Sequence, residues 1–326
     1  EFAKLSTIIL LAAYFSSIGK KIDTVLQFFI GFVITCIPVG LILLQPDMGT
    51  AFVYIPVFLV MAYFAGAHIR YIIFVAVTGV IFIAFSILPY VPSVLQMEGA
   101  VWLNELFLNR TVILYGVLIL LIVSGAAFAG FKLFKRGYFY WIFYSGFSFV
   151  FGISGALLTK LFLKDYQIER LIIFLNPETD PQGAGWNIIQ SITAVGSGGL
   201  TGKGFLQGTQ SHYQYLPQQS TDFIFSILAE EWGFLGVIVV FVLYAVILVR
   251  AILIIFSIKN KFGMYLGAGI IGFFLLHFII NIGMAVGIMP ITGIPLIFLS
   301  YGGSSLWTGL IGIGFLLSIY RKKETF

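Results

Sequence analysis

The chain has 326 residues, of which 60% are hydrophobic and 10% charged, and its mean hydropathy is +1.05. This excludes a water-soluble protein, because no soluble core buries so much apolar surface, and it indicates an integral membrane protein. The net charge of +5 does not indicate nucleic-acid binding, because the basic residues lie in short clusters between apolar runs. The single cysteine, Cys36, excludes an internal disulfide or a CxxC metal site.

The apolar runs are long enough for membrane-spanning helices, which need about 20 residues, and they lack the alternation of barrel strands. We therefore predict an all-α polytopic membrane protein, a helical bundle with about nine transmembrane helices. The predicted spans are residues 2–17, 25–44, 51–67, 71–89, 111–131, 138–163, 234–256, 263–289 and 305–320.

Positive charge falls on alternate connections between these spans, which the positive-inside tendency places in the cytoplasm. The opposite face then receives the long interval 165–233, which we predict to be extracytoplasmic. Nine spans with a cytoplasmic C-terminus put Glu1 outside, so we expect further spans to precede this sequence. The basic residues on the predicted cytoplasmic connections are Lys20, Lys21, Arg70, Lys132, Lys135, Arg136, Arg250, Lys259, Lys261, Arg321, Lys322 and Lys323.

The interval 165–233 is the one long stretch that cannot be a simple span. It holds the glycine-rich stretches DPQGAGW and GSGGLTGKG, and a loop this long in a compact domain is normally functional. We therefore look for the chemistry here. Seven of the thirteen acidic residues fall in the interval: Asp165, Glu169, Glu178, Asp180, Asp222, Glu230 and Glu231.

GSGGLTGKG does not fit a nucleotide phosphate loop, because Ser197 stands where the first glycine belongs and Gly204 follows Lys203 where Ser or Thr must bind magnesium. Two interpretations stay open. The glycine backbone can approach an anion, with Lys203 adding positive charge, or the stretch is a plain flexible turn.

Thr221 is predicted to cap a helix that starts at Asp222, which would place Asp222, Ser226 and Glu230 on one face. An aspartate in a first helical turn can simply stabilise the helix dipole. A carboxylate at the rim of a membrane cavity is equally what a general base requires.

Four polar residues lie within or beside the other spans. Lys4 and Asp47 each stand at the outer end of a span, where ionisable residues are usually paired or functional, although snorkelling and a plain turn are the alternatives. His277 and Asn281 are four residues apart in one span and are expected to form interhelical hydrogen bonds rather than to bind a metal.

Seven motifs follow one another from residue 2 to about 305: FAKL, QPDMGT, DYQIERLIIFLNPETDPQGAGWNIIQS, GSGGLTGKGFLQGTQS, LPQQSTDFIFSILAEEWGFLG, NIGM and TGIPLIFLSYGGSS. Together they resemble the SEDS family (shape, elongation, division, sporulation), and its elongation members more than its division members. The resemblance implies one SEDS transmembrane domain over 1–326, a large catalytic loop at 165–233, and an inserted helical pair at 90–137.

By this resemblance, the chain is expected to be a peptidoglycan glycosyltransferase of the bacterial inner membrane. It would polymerise lipid II into β-1,4 glycan strands during cell-wall elongation, alongside a class B penicillin-binding protein and among membrane lipids. Asp222 corresponds to the family's essential acidic residue, and Lys4 and Asp47 to a pair that face each other in a central cavity. The family often has LPERHTDF where this chain has LPQQSTDF.

The chemistry implied by the resemblance assigns roles to further residues. Asp222 would act as general base or would hold a metal ion whose ligands are otherwise unknown. Lys203, Arg170 or a divalent cation, Mg²⁺ or Mn²⁺, would stabilise the departing pyrophosphate. Lys4 and Asp47 would shape the cavity and steady the substrate, and Glu230 is a further candidate for substrate binding.

Three rival functions remain open from the sequence. The chain could be a lipid II flippase, although we find none of the internal repeats typical of transporters. It could be a noncatalytic scaffold of the cell-wall synthesis complex. It could also be a polymerase or ligase acting on another lipid-linked sugar.

Overall fold

The computed structural model describes residues 1–45, 47–91, 109–162, 165–181, 183–213 and 215–323. These residues are mostly helical, and they contain no β-strand. The α-helices are α1 (Phe2–Ile18), α2 (Val25–Leu44), α3 (Met48–Ala65), α4 (Ile69–Ile87), α5 (Arg110–Phe134), α6 (Gly137–Phe162), α7 (Asp165–Leu175), α8 (Ala184–Ser197), α9 (Thr209–His212), α10 (Ile224–Phe256), α11 (Lys261–Ala285) and α12 (Gly303–Lys323).

Each predicted span corresponds to one of these helices. Eight of the helices in the described part of the chain are long and apolar enough to cross a membrane, and α1 is a shorter apolar helix of 17 residues. The prediction of an all-α polytopic membrane protein is therefore confirmed. The helical pair expected at 90–137 stays a prediction, because α5 is described while residues 92–108 lie outside the described part.

The chain divides into two compact units, of which the first comprises Glu1–His68 and Asp180–Phe326. Helix α11 is the most buried span of this unit and packs against α1, α3, α10 and α12. Close packing is possible because α11 carries small residues, as helix interfaces in membranes generally do. At Gly269, for example, an added Cβ would lie 2.4 Å from Cγ2 of Ile8 on α1.

The second unit, Ile69–Thr179, contains α4, α5, α6 and α7. Helix α6 packs against both α4 and α5, largely through aromatic side chains such as Phe74 of α4 and Phe147 of α6, whose ring centroids are 6.1 Å apart. The hydroxyl of Tyr144 donates a hydrogen bond to the carbonyl of Arg70 at 2.6 Å. This hydrogen bond joins α6 to the first turn of α4.

Helix α10 is kinked at Gly233, whose φ of 64° and ψ of −162° are not helical. A kink leaves backbone groups without their helical partners, and inside a membrane other protein groups must satisfy them. The glycine-rich loop 198–204 does so, since its backbone lies directly against the kink. Four hydrogen bonds join the two segments: Lys203 N–H to Glu230 O (3.0 Å), Gly204 N–H to Glu231 O (3.0 Å), Phe234 N–H to Gly199 O (2.9 Å) and Leu235 N–H to Leu200 O (3.1 Å).

Candidate active site

Asp222 lies in the turn that precedes α10, and it is half-buried. Its backbone carbonyl accepts a hydrogen bond from Nδ2 of Asn281 at 2.8 Å, and its N–H donates to the carbonyl of Gln218 at 3.1 Å. Asn281 is fully buried on α11, the most buried helix of its unit. The backbone that carries the Asp222 carboxylate is therefore held by a rigid part of the bundle.

The prediction that a helix starts at Asp222 with Thr221 as its cap is wrong. Helix α10 begins at Ile224, and the Thr221 hydroxyl donates to the carbonyl of Gln218 instead of capping the helix. Gln218 has a left-handed φ of 52°, and its carbonyl accepts the N–H groups of residues 221–223. This tight turn replaces the first helical turn, so Asp222 does not share a helical face with Ser226 and Glu230.

The 286–302 loop lies against Asp222. A Cβ added at Gly293 of this loop would lie 3.5 Å from Oδ2 of Asp222, so the carboxylate faces the TGIP motif. Helix α11 holds the same loop through two side chains one turn apart. Asn281 Nδ2 donates to the carbonyl of Ile294 at 2.8 Å, and Nδ1 of His277 lies 3.0 Å from the carbonyl oxygen of Pro295.

The QPDMGT motif also contacts this loop, through Gly49. Gly49 lies so close to Thr292 that an added Cβ would be 1.8 Å from the Thr292 carbonyl oxygen. The motifs around Asp47 and Asp222, far apart in sequence, therefore meet on neighbouring residues of the 286–302 loop. Asp47 itself is exposed and caps α3, because its Oδ1 accepts the N–H of Thr50 at 3.0 Å.

Lys4 is buried in α1, with 3% of its surface exposed. Its Nζ is 2.6 Å from Oε1 of Glu1 and 3.2 Å from Nε2 of His277, so it has a salt bridge within α1 and a contact with α11. A direct pairing of Lys4 with Asp47 stays a prediction, whereas the interhelical hydrogen bond expected of His277 is confirmed.

Lys203 and Glu230, both predicted to bind substrate, bind each other. Glu230 is fully buried, and its Oε1 accepts hydrogen bonds from Lys203 Nζ at 2.7 Å and from Thr209 Oγ1 at 2.9 Å. The N–H of Gln210 lies 3.2 Å from both carboxylate oxygens. The glycine-rich loop is thus clamped to α10 and α9, and the charge of Lys203 is neutralised by Glu230.

The remaining candidate, Arg170, belongs to the second unit, where it is exposed on α7. Within the described ranges, no group of three or more His, Cys, Asp or Glu residues could hold a metal ion. The NIGM and TGIP motifs carried the family resemblance, but no role for them could be predicted from the sequence. Their function in holding Asp222 depends on contacts between segments that are distant in sequence.

Comparisons with known proteins agree with these features. The family model FTSW_RODA_SPOVE, described as "Cell cycle protein", matches residues 1–97 and 108–325. The "Peptidoglycan glycosyltransferase RodA" of Treponema pallidum (strain Nichols) is 47% identical over 99% of this chain and 74% of that protein. The "Peptidoglycan glycosyltransferase MrdB" of Escherichia coli (strain K12) is 42% identical over 52% of this chain and 45% of that protein.

Two further similarities extend the comparison. "Stage V sporulation protein E" of Bacillus subtilis (strain 168) is 37% identical over 77% of this chain and 61% of that protein. A chain of the solved structure "Structural coordination of polymerization and crosslinking by a peptidoglycan synthase complex" is 26% identical with a TM-score of 0.58, covering 98% of this chain and 69% of that chain. The family model covers nearly the whole sequence, and the chain therefore belongs to the FtsW/RodA/SpoVE family, the SEDS family whose motifs it carries.

Proposed function

We propose that this chain is a peptidoglycan glycosyltransferase that polymerises lipid II into β-1,4 glycan strands during cell-wall elongation, with Asp222 as its central residue. The names of its relatives support the enzyme class. The observation that carries the proposal is the setting of Asp222, whose carboxylate faces Gly293 while Asn281 holds its backbone. A catalytic carboxylate needs such a fixed position, because small displacements cost large factors in rate.

The proposed reaction joins two lipid-linked sugars. Asp222 takes the proton from a hydroxyl of the acceptor sugar as that oxygen attacks the anomeric carbon of the donor sugar. The bond from the anomeric carbon to the lipid pyrophosphate breaks with inversion, and the pyrophosphate leaves with the electron pair. Positive charge must stabilise this leaving group. Lys203 could do so only by exchanging Glu230 for the pyrophosphate, and the role expected of Arg170 stays a prediction.

A divalent cation, Mg²⁺ or Mn²⁺, is the second way to neutralise the leaving group. Mg²⁺ is usually bound by one or two carboxylates together with substrate phosphates, so the single carboxylate of Asp222 fits this mode of binding. When bound, the cation would neutralise phosphate charge without proton transfer. Asp222 would then serve as its protein ligand.

The proposal includes a partner and a membrane. We infer that the chain acts in the bacterial inner membrane, with the 165–233 loop extracytoplasmic, beside a class B penicillin-binding protein. The similar chain from a peptidoglycan synthase complex for polymerization and crosslinking supports such a partner. The alternation of basic connections supports the orientation.

Polymerisation of purified lipid II in detergent tests the proposal. We expect Asp222→Ala to lower the rate by about 10²-fold or more, because general base catalysis contributes roughly 10²–10⁴-fold. Asp222→Asn keeps the size of the side chain and should be equally impaired. Asp23→Asn, at an exposed carboxylate elsewhere in the same unit, is the matched control and should retain activity.

A chelator arm tests whether the reaction needs a divalent cation. Loss of activity in chelator, restored by Mg²⁺ or Mn²⁺, supports a cation at the pyrophosphate, with Asp222 either as its ligand or as the base, and insensitivity leaves proton transfer as the role of Asp222. Detergent removes the second compartment, so polymer formation there also distinguishes synthesis from lipid II transport. Full activity of folded Asp222→Ala would overturn the proposal.

A further inference from the structure

Residues 205–221, FLQGTQSHYQYLPQQST, contain no Asp, Glu, Lys or Arg but five glutamines and two tyrosines. The segment leads directly into Asp222 and includes the LPQQS stretch that differs from the usual family motif. It therefore offers amide, hydroxyl and aromatic groups without charge. Such groups suit a neutral ligand that carries both hydroxyl groups and apolar C–H surfaces.

The backbone of this segment is fixed at several points. Helix α9 is clamped by Glu230, which accepts the hydroxyl of Thr209. The indole N–H of Trp186 donates to the carbonyl of Tyr215 at 2.6 Å. Leu216, 1% exposed, packs with Phe223 and with Met284 of α11 in one buried cluster. Leu216 is consequently held close to Asp222, because Phe223 is its neighbour in the chain.

The rings of Tyr213 and Tyr215 are exposed on the surface of this segment. Tyr213 is 63% exposed and Tyr215 is 48% exposed, and their ring centroids are 5.7 Å apart with a tilt of 37°. Tyrosine gives a large, rigid and amphipathic contact surface at low cost in conformational entropy. The C–H face of a β-linked sugar ring is the neutral surface that stacks on such rings, through weak C–H to π contacts.

Two glutamine oxygens in the segment lack partners. Oε1 of Gln210 and Oε1 of Gln219 are buried, and neither has a hydrogen-bond partner among the described residues. Buried acceptors are normally satisfied, so each unsatisfied one requires an explanation. The hydroxyl and acetamide N–H groups of an amino sugar are donors of the required kind.

We propose that the 205–221 segment is a glycan-binding subsite, where Tyr213 and Tyr215 stack on sugar rings of the growing strand and Gln210 and Gln219 accept hydrogen bonds from it. The proposal rests on the proposed glycosyltransferase function and adds how the polymer is retained between successive additions. A membrane surface is a poorer fit to this segment, because binding to anionic lipids relies on Lys and Arg and the segment has none.

The test measures strand length in lipid II polymerisation by the full chain with its penicillin-binding partner. In the double variant Tyr213→Ala with Tyr215→Ala, loss of two stacking contacts should weaken retention about tenfold and shorten the strands correspondingly. The initial rate of lipid II consumption should change less than about twofold, because Asp222 is intact. Tyr213→Phe with Tyr215→Phe keeps both rings and should keep the strand length.

Tyr63→Ala is the matched control, since Tyr63 of α3 is 59% exposed and lies outside the 205–221 segment. A second arm measures retention of peptide-free glycan strands, prepared from cell walls, by immobilised protein. Wild type and the Phe variant should retain the strands, and the Ala variant should not. This arm needs no polymerase activity, so it separates failure of the subsite from failure of the proposed function.

Unchanged strand length together with unchanged retention in the folded Ala variant would overturn the subsite. Weaker association with vesicles or with the penicillin-binding partner, without a change in strand length or glycan retention, would likewise overturn it and assign the rings to that surface. Shorter strands with normal consumption, preserved in the Phe variant, support it.

Discussion

Glu230 and Lys203 form the charged pair whose burial has the clearest energetic consequence. Glu230 is fully buried and Lys203 is 28% exposed, so removal of the cation leaves a buried carboxylate with only its hydrogen bonds to Thr209 and Gln210, at a cost below the about 3–5 kcal/mol of fully buried pairs. We expect Lys203→Met to lower the thermal unfolding midpoint in detergent by several degrees. The double variant with Glu230→Gln should recover much of this loss, because the amide needs no counter-charge.

Lys21→Met is the control for this experiment, since Lys21 is exposed. Equal midpoints for wild type and Lys203→Met would show that the salt bridge does not stabilise the fold. The same measurement bears on substrate binding. A role confined to pyrophosphate would lower activity in Lys203→Met without lowering the unfolding midpoint.

Single residues illustrate what sequence can and cannot predict about the site. Asp222 stood out because a carboxylate at the rim of a membrane cavity is what a general base requires, and the family motif pointed to the same residue. The support from Asn281 could not be predicted, because it joins segments 59 residues apart. Lys203 looked available for an anion only because its buried partner could not be identified from local spacing.

At the scale of elements, the kink of α10 is the feature most sensitive to substitution. Gly233 has φ 64°, and an added Cβ would lie 2.3 Å from the backbone nitrogen of Gly202. We therefore expect Gly233→Ala to separate α10 from the glycine-rich loop and to destabilise the protein by more than the roughly 1–3 kcal/mol of forcing alanine into this glycine-only conformation. Thermal unfolding and lipid II polymerisation both measure this.

Two other glycines, Gly199 and Gly196, provide control substitutions for Gly233→Ala. Gly199 has φ 57° and open space around its Cβ position, so Gly199→Ala should show the conformational cost without the clash. Gly196 lies within α8 and has open space, so Gly196→Ala should be neutral or slightly stabilising. Equal effects at all three positions would contradict a specific role for the packed kink.

The hydropathy pattern divided α10 into a short polar-faced helix and a span from 234 to 256, whereas the structure has one kinked helix. The division is understandable, because Glu230, Glu231 and Gly233 interrupt the apolar run. What the pattern could not show is that loop 198–204 supplies the missing hydrogen bonds. Spans bounded by ordinary connections, such as α2, were predicted closely because hydropathy alone defines them.

At the scale of the whole molecule, the fold class followed from the bilayer, since only helices and closed barrels satisfy backbone groups in lipid. The division into two units did not follow, because it depends on which helices pack together rather than on how apolar they are. Membrane orientation rests on the basic connections, and it decides whether Asp222 can meet an extracytoplasmic substrate.

Cysteine labelling tests this orientation with two positions on either side of α10. The helix has 33 residues and is about 50 Å long, which exceeds the hydrocarbon core of about 30 Å. Gln207 precedes it and Lys259 follows it, and both are exposed. Because Cys36 is the only cysteine, Cys36→Ser gives a clean background.

We expect Gln207→Cys to react with an impermeant maleimide in intact spheroplasts, and Lys259→Cys to react only after permeabilisation. The opposite pattern would place Asp222 at the cytoplasmic face and exclude polymerisation of an extracytoplasmic substrate there.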